Sequence, residues 1–450
     1  MPNNLLISLS TLSTASLLWS GIWCAPLSAA EGAAGTTPAH AQAPVRDVTA
    51  TATAAAKPSR IVLTPTGAPG TSQRISWSIT KAYPGQGVSI RPLAGGAAVF
   101  VAATRQPATS VRYSGTKSPR FTATVTGLMP GTSYVYQVVN SRSRSDEQVF
   151  TTADPNAGSW QMLAFGDTQM DNRTSVRRII DSAVSAVPAA DLMLASGDVV
   201  DRPYLDSQWR DLFTAMGSSA RTRNWLVSIG NHEQCLLLAK TCKSGNAQAF
   251  RSYFDWPDNG YPGQGQTWFY LDYQDVRIVV LDSFGGSLPT QAQFLDQALS
   301  SNPNTWSIVL MHASPFSARP GITNPAVLAA FQPIIEARNV DLVLTGHDHS
   351  YVRGSMRADG PVYVISDSGP KFYPTDYHDW LSNGATPQVT AAQTATYQVI
   401  TISGRTLNYK AVVALKGSKS STPLAVGQTL DELTITKDPV SVASVAKVVR

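Results

Sequence analysis

Five short sequence patterns place metal-binding side chains directly after apolar runs. Gly-Asp occurs twice, ending at Asp167 and Asp198. Gly-Asn-His-Glu follows at 230–233, His312 closes another apolar run, and Gly-His-Asp-His occupies 346–349. Imidazole nitrogens combined with carboxylate oxygens form a ligand set for borderline metals such as zinc, manganese or iron. The patterns therefore predict a metal site.

Strands must position these side chains. The apolar runs at 161–165, 191–196, 225–229, 307–311 and 341–345 are predicted strands. Helical periodicity is found at 177–184, 291–299 and 325–338. Strands alternating with helices favour an α/β domain, in which ligands bind beyond the carboxyl ends of the strands. We therefore expect the five patterns to meet at one edge.

The preceding hundred residues have a different pattern. Short strands are predicted at 60–64, 73–78, 121–125 and 134–138, separated by turns rich in Gly, Pro and Ser. This indicates a small β-sandwich. The stretch 128–134 resembles the tyrosine corner of fibronectin type III domains, so Tyr134 is expected to hydrogen-bond upstream backbone. No cluster of histidines or carboxylates indicates chemistry in this domain.

The ends of the chain and its cysteines predict its location. Residues 1–30 carry no Lys, Arg, Asp or Glu, and small residues precede Glu31. This is typical of a cleaved signal peptide, with a retained anchor as the alternative, and predicts a secreted or periplasmic protein. Residues 31–57 are a predicted linker, and 438–450 a tail without a motif. In an oxidising compartment Cys235 and Cys242 are expected to form a disulfide; two free thiols are the alternative.

Composition excludes several classes of protein. Of the 450 residues, 43% are hydrophobic and the net charge is only +5, which excludes disorder of the whole chain. No apolar run of about 20 residues follows residue 30, so a polytopic membrane protein is not expected. No cluster of basic residues indicates a nucleic-acid or membrane partner.

The ordered set of patterns resembles the calcineurin-like metallophosphoesterases. The predicted sandwich in front of them makes the resemblance closest to the purple acid phosphatases, and it covers residues 58–437. The resemblance implies a fibronectin type III-like β-sandwich domain at 58–154. It also implies an α/β metallophosphoesterase domain at 157–437, an αββα sandwich of two packed sheets flanked by helices.

The same resemblance implies a dinuclear centre and a role for each ligand. Two ions of iron, manganese or zinc would be held by Asp167 and His349 on one side, by Asn231, His312 and His347 on the other, and by Asp198 between them. A metal-bridging hydroxide would hydrolyse a small-molecule phosphomonoester, as in an acid phosphatase. His232 would stabilise the developing charge or protonate the leaving group.

Two positions depart from the family pattern. Asp201 stands where purple acid phosphatases have the tyrosine that binds ferric iron, so a purple tyrosinate centre is not expected. Asp201 remains a weaker candidate ligand. Gln169 stands where many other relatives have a histidine. Its amide oxygen either binds the first metal directly or contacts only the residues that bind it.

Substrate contacts and substrate class are open to alternatives. Arg319, Arg353 and Lys371 are candidates for binding phosphate oxygens. A phosphodiesterase or a nucleotide-sugar pyrophosphatase would use the same metal site. A surface binding protein on a degenerate metallophosphatase scaffold is the alternative outside enzymes.

Overall fold

The structure is a computed structural model that describes residues 57–106, 118–234, 247–260 and 267–438. The predicted signal peptide, all but the last residue of the predicted linker, and all but the first residue of the predicted tail lie outside these ranges. Cys235 and Cys242 also lie outside them, so their predicted disulfide stays a prediction. Among the helices of the described ranges, none has both the length and the apolar character needed to cross a bilayer.

Strands make up most of the described chain. In chain order they are β1 (Ser59–Thr64), β2 (Ser72–Ser78), β3 (Gly87–Pro92), β4 (Val99–Ala102), β5 (Thr104–Arg105), β6 (Arg120–Thr126), β7 (Ser133–Val139), β8 (Gln148–Thr151), β9 (Trp160–Phe165), β10 (Leu192–Ala195), β11 (Asn224–Val227), β12 (Phe269–Tyr273), β13 (Val276–Val280), β14 (Trp306–Leu310), β15 (Leu342–Thr345), β16 (Tyr351–Ser355), β17 (Val362–Ile365), β18 (Thr386–Ala391), β19 (Thr394–Ser403), β20 (Thr406–Lys416) and β21 (Thr429–Thr436).

The helices lie mainly between strands of the second domain. They are a π-helical turn (Asn172–Val176), α1 (Arg177–Ala186), α2 (Asp206–Met216), α3 (Ser219–Thr222), α4 (Gln248–Tyr253), α5 (Leu288–Ser300), α6 (Pro325–Ala337) and α7 (His378–Ser382). All strands and helices predicted above are present, with ends shifted by a few residues.

Two large sheets pack face to face in the second domain. One contains β9, β10 and β11 as parallel neighbours, and the other contains β13, β14, β15 and β17 as parallel neighbours. Ile308 and Leu310 of β14 face the core shared with the first sheet, whereas Val309 faces the core under α5 and α6. Because side chains alternate along a strand, one apolar strand serves both cores. The predicted two-sheet phosphoesterase architecture is confirmed.

The N-terminal strands form a β-sandwich of their own. β4, β3, β7 and β8 make one sheet, which packs on β1, β2, β5 and β6 around a separate apolar core. The Tyr134 hydroxyl accepts a hydrogen bond of 2.9 Å from the Met129 backbone N–H, as predicted. The more specific likeness to fibronectin type III stays a prediction.

The two domains share a sheet, which the sequence did not indicate. β1 lies parallel to β11, with Leu63 opposite Asn224, so one ten-stranded sheet runs from the phosphoesterase domain into the sandwich. The Gln73 side chain donates to the Asn224 side chain at 2.8 Å. Arg60 of β1 forms a two-pronged ion pair with Asp206 of α2, with both N–O distances 2.6 Å. Pairing β11 with β1 also covers what would otherwise be an open edge.

Candidate metal centre

The predicted ligands meet where strands of both large sheets end. Asp167, Asp198 and Asn231 follow β9, β10 and β11, whereas His312 follows β14 and the His-Asp-His turn follows β15. Ligand atoms of Asp198, His312 and His347 all lie within 4.8 Å of one another. The centre therefore lies between two sheets and not at the edge of a single one.

His312 and His349 lie beside the two aspartates. Nε2 of His312 is 3.1 Å from Oδ2 of Asp198 and 3.9 Å from Oδ1 of Asp167. Nε2 of His349 is 3.6 Å from the same Asp167 oxygen. The contacts place His349 on the Asp167 side and His347 with Asp198, the arrangement that the family pattern implies.

Backbone strain is concentrated in these turns. Asp167, Asp198, His347 and His349 have φ angles of 49°, 49°, 73° and 48°, in the left-handed region that non-glycine residues seldom occupy. Such conformations cost free energy and persist where the surroundings fix them, commonly at functional sites. Here they turn the backbone sharply so that the side chains converge.

Two glycines allow the turns to approach one another. A Cβ on Gly197 would lie 2.9 Å from the Gly230 backbone nitrogen and 2.9 Å from Nδ1 of His312. A Cβ on Gly230 would collide with the backbone and carboxylate of Asp198. Glycine is therefore required at both positions by contact with the neighbouring ligands.

Glu233 joins the second and third motifs. Its buried carboxylate accepts backbone N–H groups of Asp198 and Gly230, both at 2.9 Å, and of Val200 at 3.0 Å. The last residue of Gly-Asn-His-Glu therefore orients the turns that carry the ligands.

Burial and the two aspartates shift the pKa values of the histidines at the centre. Burial alone would lower the pKa of His312, but Asp198 and Asp167 outweigh it and raise the pKa to about 10. Burial raises the pKa of Asp167 to about 7. Burial lowers the pKa of His347 to about 3 and also lowers that of His349, which favours the neutral imidazole that a metal requires.

Several buried oxygen and nitrogen atoms at the centre have no hydrogen-bond partner among the described residues and could bind metal ions. Within the described ranges, Oδ1 of Asp167, Oδ1 of Asn231 and Nε2 of His312 are buried without a hydrogen-bond partner. Nδ1 of His312 lies 2.6 Å from the Ser196 carbonyl oxygen and is placed to donate to it, so Nε2 is the nitrogen that faces the aspartates and would bind a metal ion on losing its proton. A carboxylate oxygen, an amide oxygen and an imidazole nitrogen left without partners are the donor types that a metal ion would bind. The residues present fit a metal centre.

Gln169 is buried against the Asp167 side of this centre. Its donors and acceptor are satisfied when the amide nitrogen faces the carbonyls of Asp167 and Asp198, at 3.0 and 3.1 Å. The amide oxygen then lies 3.3 Å from Nε2 of His349, the atom expected to bind the first metal. Direct ligation by Gln169 stays a prediction that this geometry permits.

Asp201 contacts the ring of His232. Nδ1 of His232 is 3.2 Å from an Asp201 carboxylate oxygen and 2.8 Å from the Asp201 carbonyl oxygen. Burial would lower the pKa of His232, but these bonds and Asp198 raise it to about 9. Asp201 thus orients a histidine, and metal ligation by Asp201 stays a prediction.

A sixth strand end contributes a carboxylate that sequence reasoning missed. β17 is followed by Asp367, whose side chain is fully buried with Oδ1 3.5 Å from Nδ1 of His349. Gly369 N–H donates to the same oxygen at 3.1 Å, and Oδ2 has no partner in the described part of the chain. The apolar run that precedes it was the same signal that identified the other five patterns.

The three candidate substrate residues differ in position. Arg319 and Lys371 flank the ring of Tyr373, whose edge meets His349, so both lie beside the centre. The Arg353 guanidinium bonds Asp431 at 2.6 and 2.9 Å and Gln388 at 2.6 Å. All three Arg353 nitrogens are used inside the fold, in place of the phosphate contact suggested by the sequence.

Comparison with known families agrees with this geometry. Residues 161–351 match the calcineurin-like phosphoesterases, and this class of metallophosphoesterase is what the fold and the site define. Residues 58–152 match the purple acid phosphatase N-terminal domain. The chain therefore combines these two domains, which confirms the resemblance found in its motifs.

Individual relatives are distant. An uncharacterized protein of Mycobacterium tuberculosis is 26% identical over 336 residues, covering 64% of this chain and 61% of that protein. Purple acid phosphatase 18 of Arabidopsis thaliana is 25% identical over 190 residues, covering 39% and 43%. The chain thus spans about three fifths or less of the length of these relatives.

Solved structures show the same fold. A purple acid phosphatase from yellow lupin (Lupinus luteus) seeds superposes with a TM-score of 0.70 at 16% identity, covering 85% of this chain and 74% of that one. PhoD superposes with a TM-score of 0.59 at 13% identity, covering 85% and 91%.

Proposed function

We propose that this chain is an exported metal-dependent phosphohydrolase that hydrolyses phosphomonoesters at a dinuclear centre. The observation that carries the proposal is the convergence of Asp198, His312 and His347, with ligand atoms within 4.8 Å, beside Asp167 and His349. Relatives named purple acid phosphatase and, from Allium cepa, phosphoenolpyruvate phosphatase support a phosphatase activity. The apolar, uncharged N-terminus supports export.

Six residues would hold the two metal ions. Asp167 and His349 would bind one, with Gln169 as a further oxygen donor, and the other would be bound by Asn231, His312 and His347, with Asp198 between them. Two metal ions bound there would supply Lewis acidity and would lower the pKa of a water molecule. Iron, manganese and zinc all suit this nitrogen and oxygen set.

The protein's own groups complete the site. His232 has Nδ1 committed to Asp201, so Nε2 is the nitrogen turned toward Asp198, at 3.7 Å from its Oδ2. In this position Nε2 can donate a hydrogen bond to a developing alkoxide and then its proton. Asp201 stabilises the imidazolium in that orientation.

Metal reconstitution tests this function. The protein lacking residues 1–30 is stripped of metal, reloaded with Fe, Mn or Zn, and assayed with phenyl phosphate and with diphenyl phosphate. Metal-restored hydrolysis that favours the monoester, and is lost in Asp198→Asn with the fold retained, is expected. A preference for the diester would instead support a phosphodiesterase.

A folded protein that hydrolyses neither ester with any metal would contradict the proposal. If such a protein binds a partner, and Asp198→Asn binds that partner equally well, the alternative of a surface binding protein on a degenerate scaffold would be favoured.

A further inference from the structure

Two cationic side chains share one aromatic ring at the rim of the metal centre. Arg319 Cζ lies 3.9 Å and Lys371 Nζ 5.0 Å from the centroid of the Tyr373 ring. The two charges are therefore no more than about 9 Å apart, within reach of a single small anion. All three side chains are half-buried and so remain open to solvent.

This cluster lies next to a metal-binding histidine. The Tyr373 ring meets His349 edge to face, with centroids 4.9 Å apart and planes at 90°. Arg319 stacks on the same Tyr373 ring, with its Cζ 3.9 Å from the ring centroid. It is also close enough to His347 for its charge to contribute to the lowered pKa of that residue.

A buried carboxylate fixes the loop that presents Arg319. Asp348 lies between the two histidines of the Gly-His-Asp-His turn and is almost fully buried. It accepts the Ala318 backbone N–H at 2.6 Å and the Ser317 hydroxyl at 3.2 Å. Arg319 follows directly, so its position is tied to that of the metal-binding turn.

Neither cation forms an ion pair within the described ranges, although the charge of Lys371 acts on Asp201 and Asp367 from farther away. Two other arginines that are half-buried or buried do have carboxylate partners, Arg60 with Asp206 and Arg353 with Asp431. In the described ranges, no carboxylate oxygen lies within 4.0 Å of a nitrogen of Arg319 or Lys371. Two like charges near one ring repel, and an anion that contacts both would relieve the repulsion.

We propose that Arg319, Lys371 and Tyr373 bind a second anionic group of the substrate. This inference rests on the proposed function, in which the metals and His232 receive the phosphoryl group that is hydrolysed. The preferred substrates are then small phosphate esters with a carboxylate or a second phosphoryl group close to the scissile one. Guanidinium and ammonium donors suit both kinds of oxyanion.

Binding of phosphonates, which are not hydrolysed, tests this receptor independently of turnover. Calorimetry on the metal-loaded full chain, at fixed free metal, compares methylphosphonate with phosphonoacetate and methylenediphosphonate. We expect at least one of the two doubly anionic compounds to bind about tenfold more tightly than methylphosphonate. Which of them does so identifies the second group as carboxylate or phosphoryl.

Charge-removing variants locate the effect. Arg319→Gln and Lys371→Gln are each expected to reduce that preference severalfold while changing methylphosphonate affinity less. Arg338→Gln and Lys410→Gln are the matched controls, because these cations pair with Asp296 and Glu432 away from the centre. Both controls are expected to keep the preference.

Three results would overturn the proposal that Arg319, Lys371 and Tyr373 bind a second anionic group. They are equal affinity for all three phosphonates, a preference that survives in both Arg319→Gln and Lys371→Gln, and a complete absence of phosphonate binding. If the two variants lose equal affinity for all three phosphonates, Arg319 and Lys371 bind the phosphoryl group that is hydrolysed and not a second anionic group. Failure of the proposed function is a separate result, because it is read as absent hydrolysis of phenyl phosphate.

Discussion

His232 is held by Asp201 through two acceptors. The carboxylate oxygen lies 3.2 Å and the carbonyl oxygen 2.8 Å from the same ring nitrogen, Nδ1. The opposite nitrogen is thereby turned toward Asp198. An aspartate three residues after the second Gly-Asp motif thus orients the histidine of the third motif.

Asp201→Asn is expected to lower kcat about tenfold while leaving metal content unchanged. The carbonyl bond persists, but the charge that stabilises the imidazolium is lost. His232→Asn should cost more, about a hundredfold or more, because the proton donor itself is removed. Steady-state kinetics with metal analysis of each variant measures this, and Asp211→Asn in α2, whose carboxylate pairs with Arg210, is the control. Loss of metal in Asp201→Asn would show that Asp201 is a ligand after all.

Asp367→Asn is expected to weaken the metal site beside Asp167. Nδ1 of His349 lies 3.5 Å from the Asp367 carboxylate, on the side of the ring opposite the Nε2 that faces Asp167. Losing such a neighbouring group commonly lowers metal affinity by roughly 10- to 100-fold. Titration against a competing chelator should show one site weakened and the other unchanged. Equal weakening of both sites would indicate general damage to the fold.

Gln169→His is expected to tighten that same site. An amide oxygen is a weaker donor than imidazole, so the Asp167 side should lose its metal first on chelation in the natural protein. A histidine at 169 supplies a stronger ligand next to His349. Chelator titrations of wild type, Gln169→His and Gln169→Ala compare the strength of the site. Two sites of equal affinity in wild type would contradict the prediction.

The local order of the second domain could be predicted because its strands are apolar runs that end in unusual turns. β14 and β15 have almost uniformly apolar sequences because each faces two cores. Gly197 and Gly230 stand next to ligands, where side chains of neighbouring turns exclude a Cβ. Because these features are local, the sequence was enough to predict the fold class and the candidate ligands.

Long-range pairing could not be predicted in the same way. Nothing local states that β1 lies beside β11, because that contact depends on Leu63 meeting Asn224 across 160 residues of chain. Arg353 likewise has a partner, Asp431, that lies far along the chain. The contact between Asp201 and His232 also joins two separate motifs, and sequence spacing does not show which way a side chain points.

The ion pair between Arg60 and Asp206 gives a pH-dependent prediction for the junction of the two domains. Burial alone would raise the pKa of Asp206, but the bonds from Arg60 outweigh it and lower the pKa. A carboxyl whose pKa is lower in the folded than in the unfolded state stabilises the fold above its ordinary pKa of about 4. That stabilisation is lost as pH falls through the folded pKa.

Asp206→Asn should therefore lower the free energy of unfolding by about 2 kcal/mol at pH 7, because Arg60 is left without its counter-charge. The difference from wild type should shrink as pH falls below about 4, where the wild-type carboxylate also becomes protonated. Urea denaturation at pH 7, 5 and 3 measures both values. Asp296→Asn, which breaks an exposed pair with Arg338, is the control and should show no measurable loss. A loss in Asp206→Asn that stays constant across pH would assign the effect to packing of α2 and not to the ion pair.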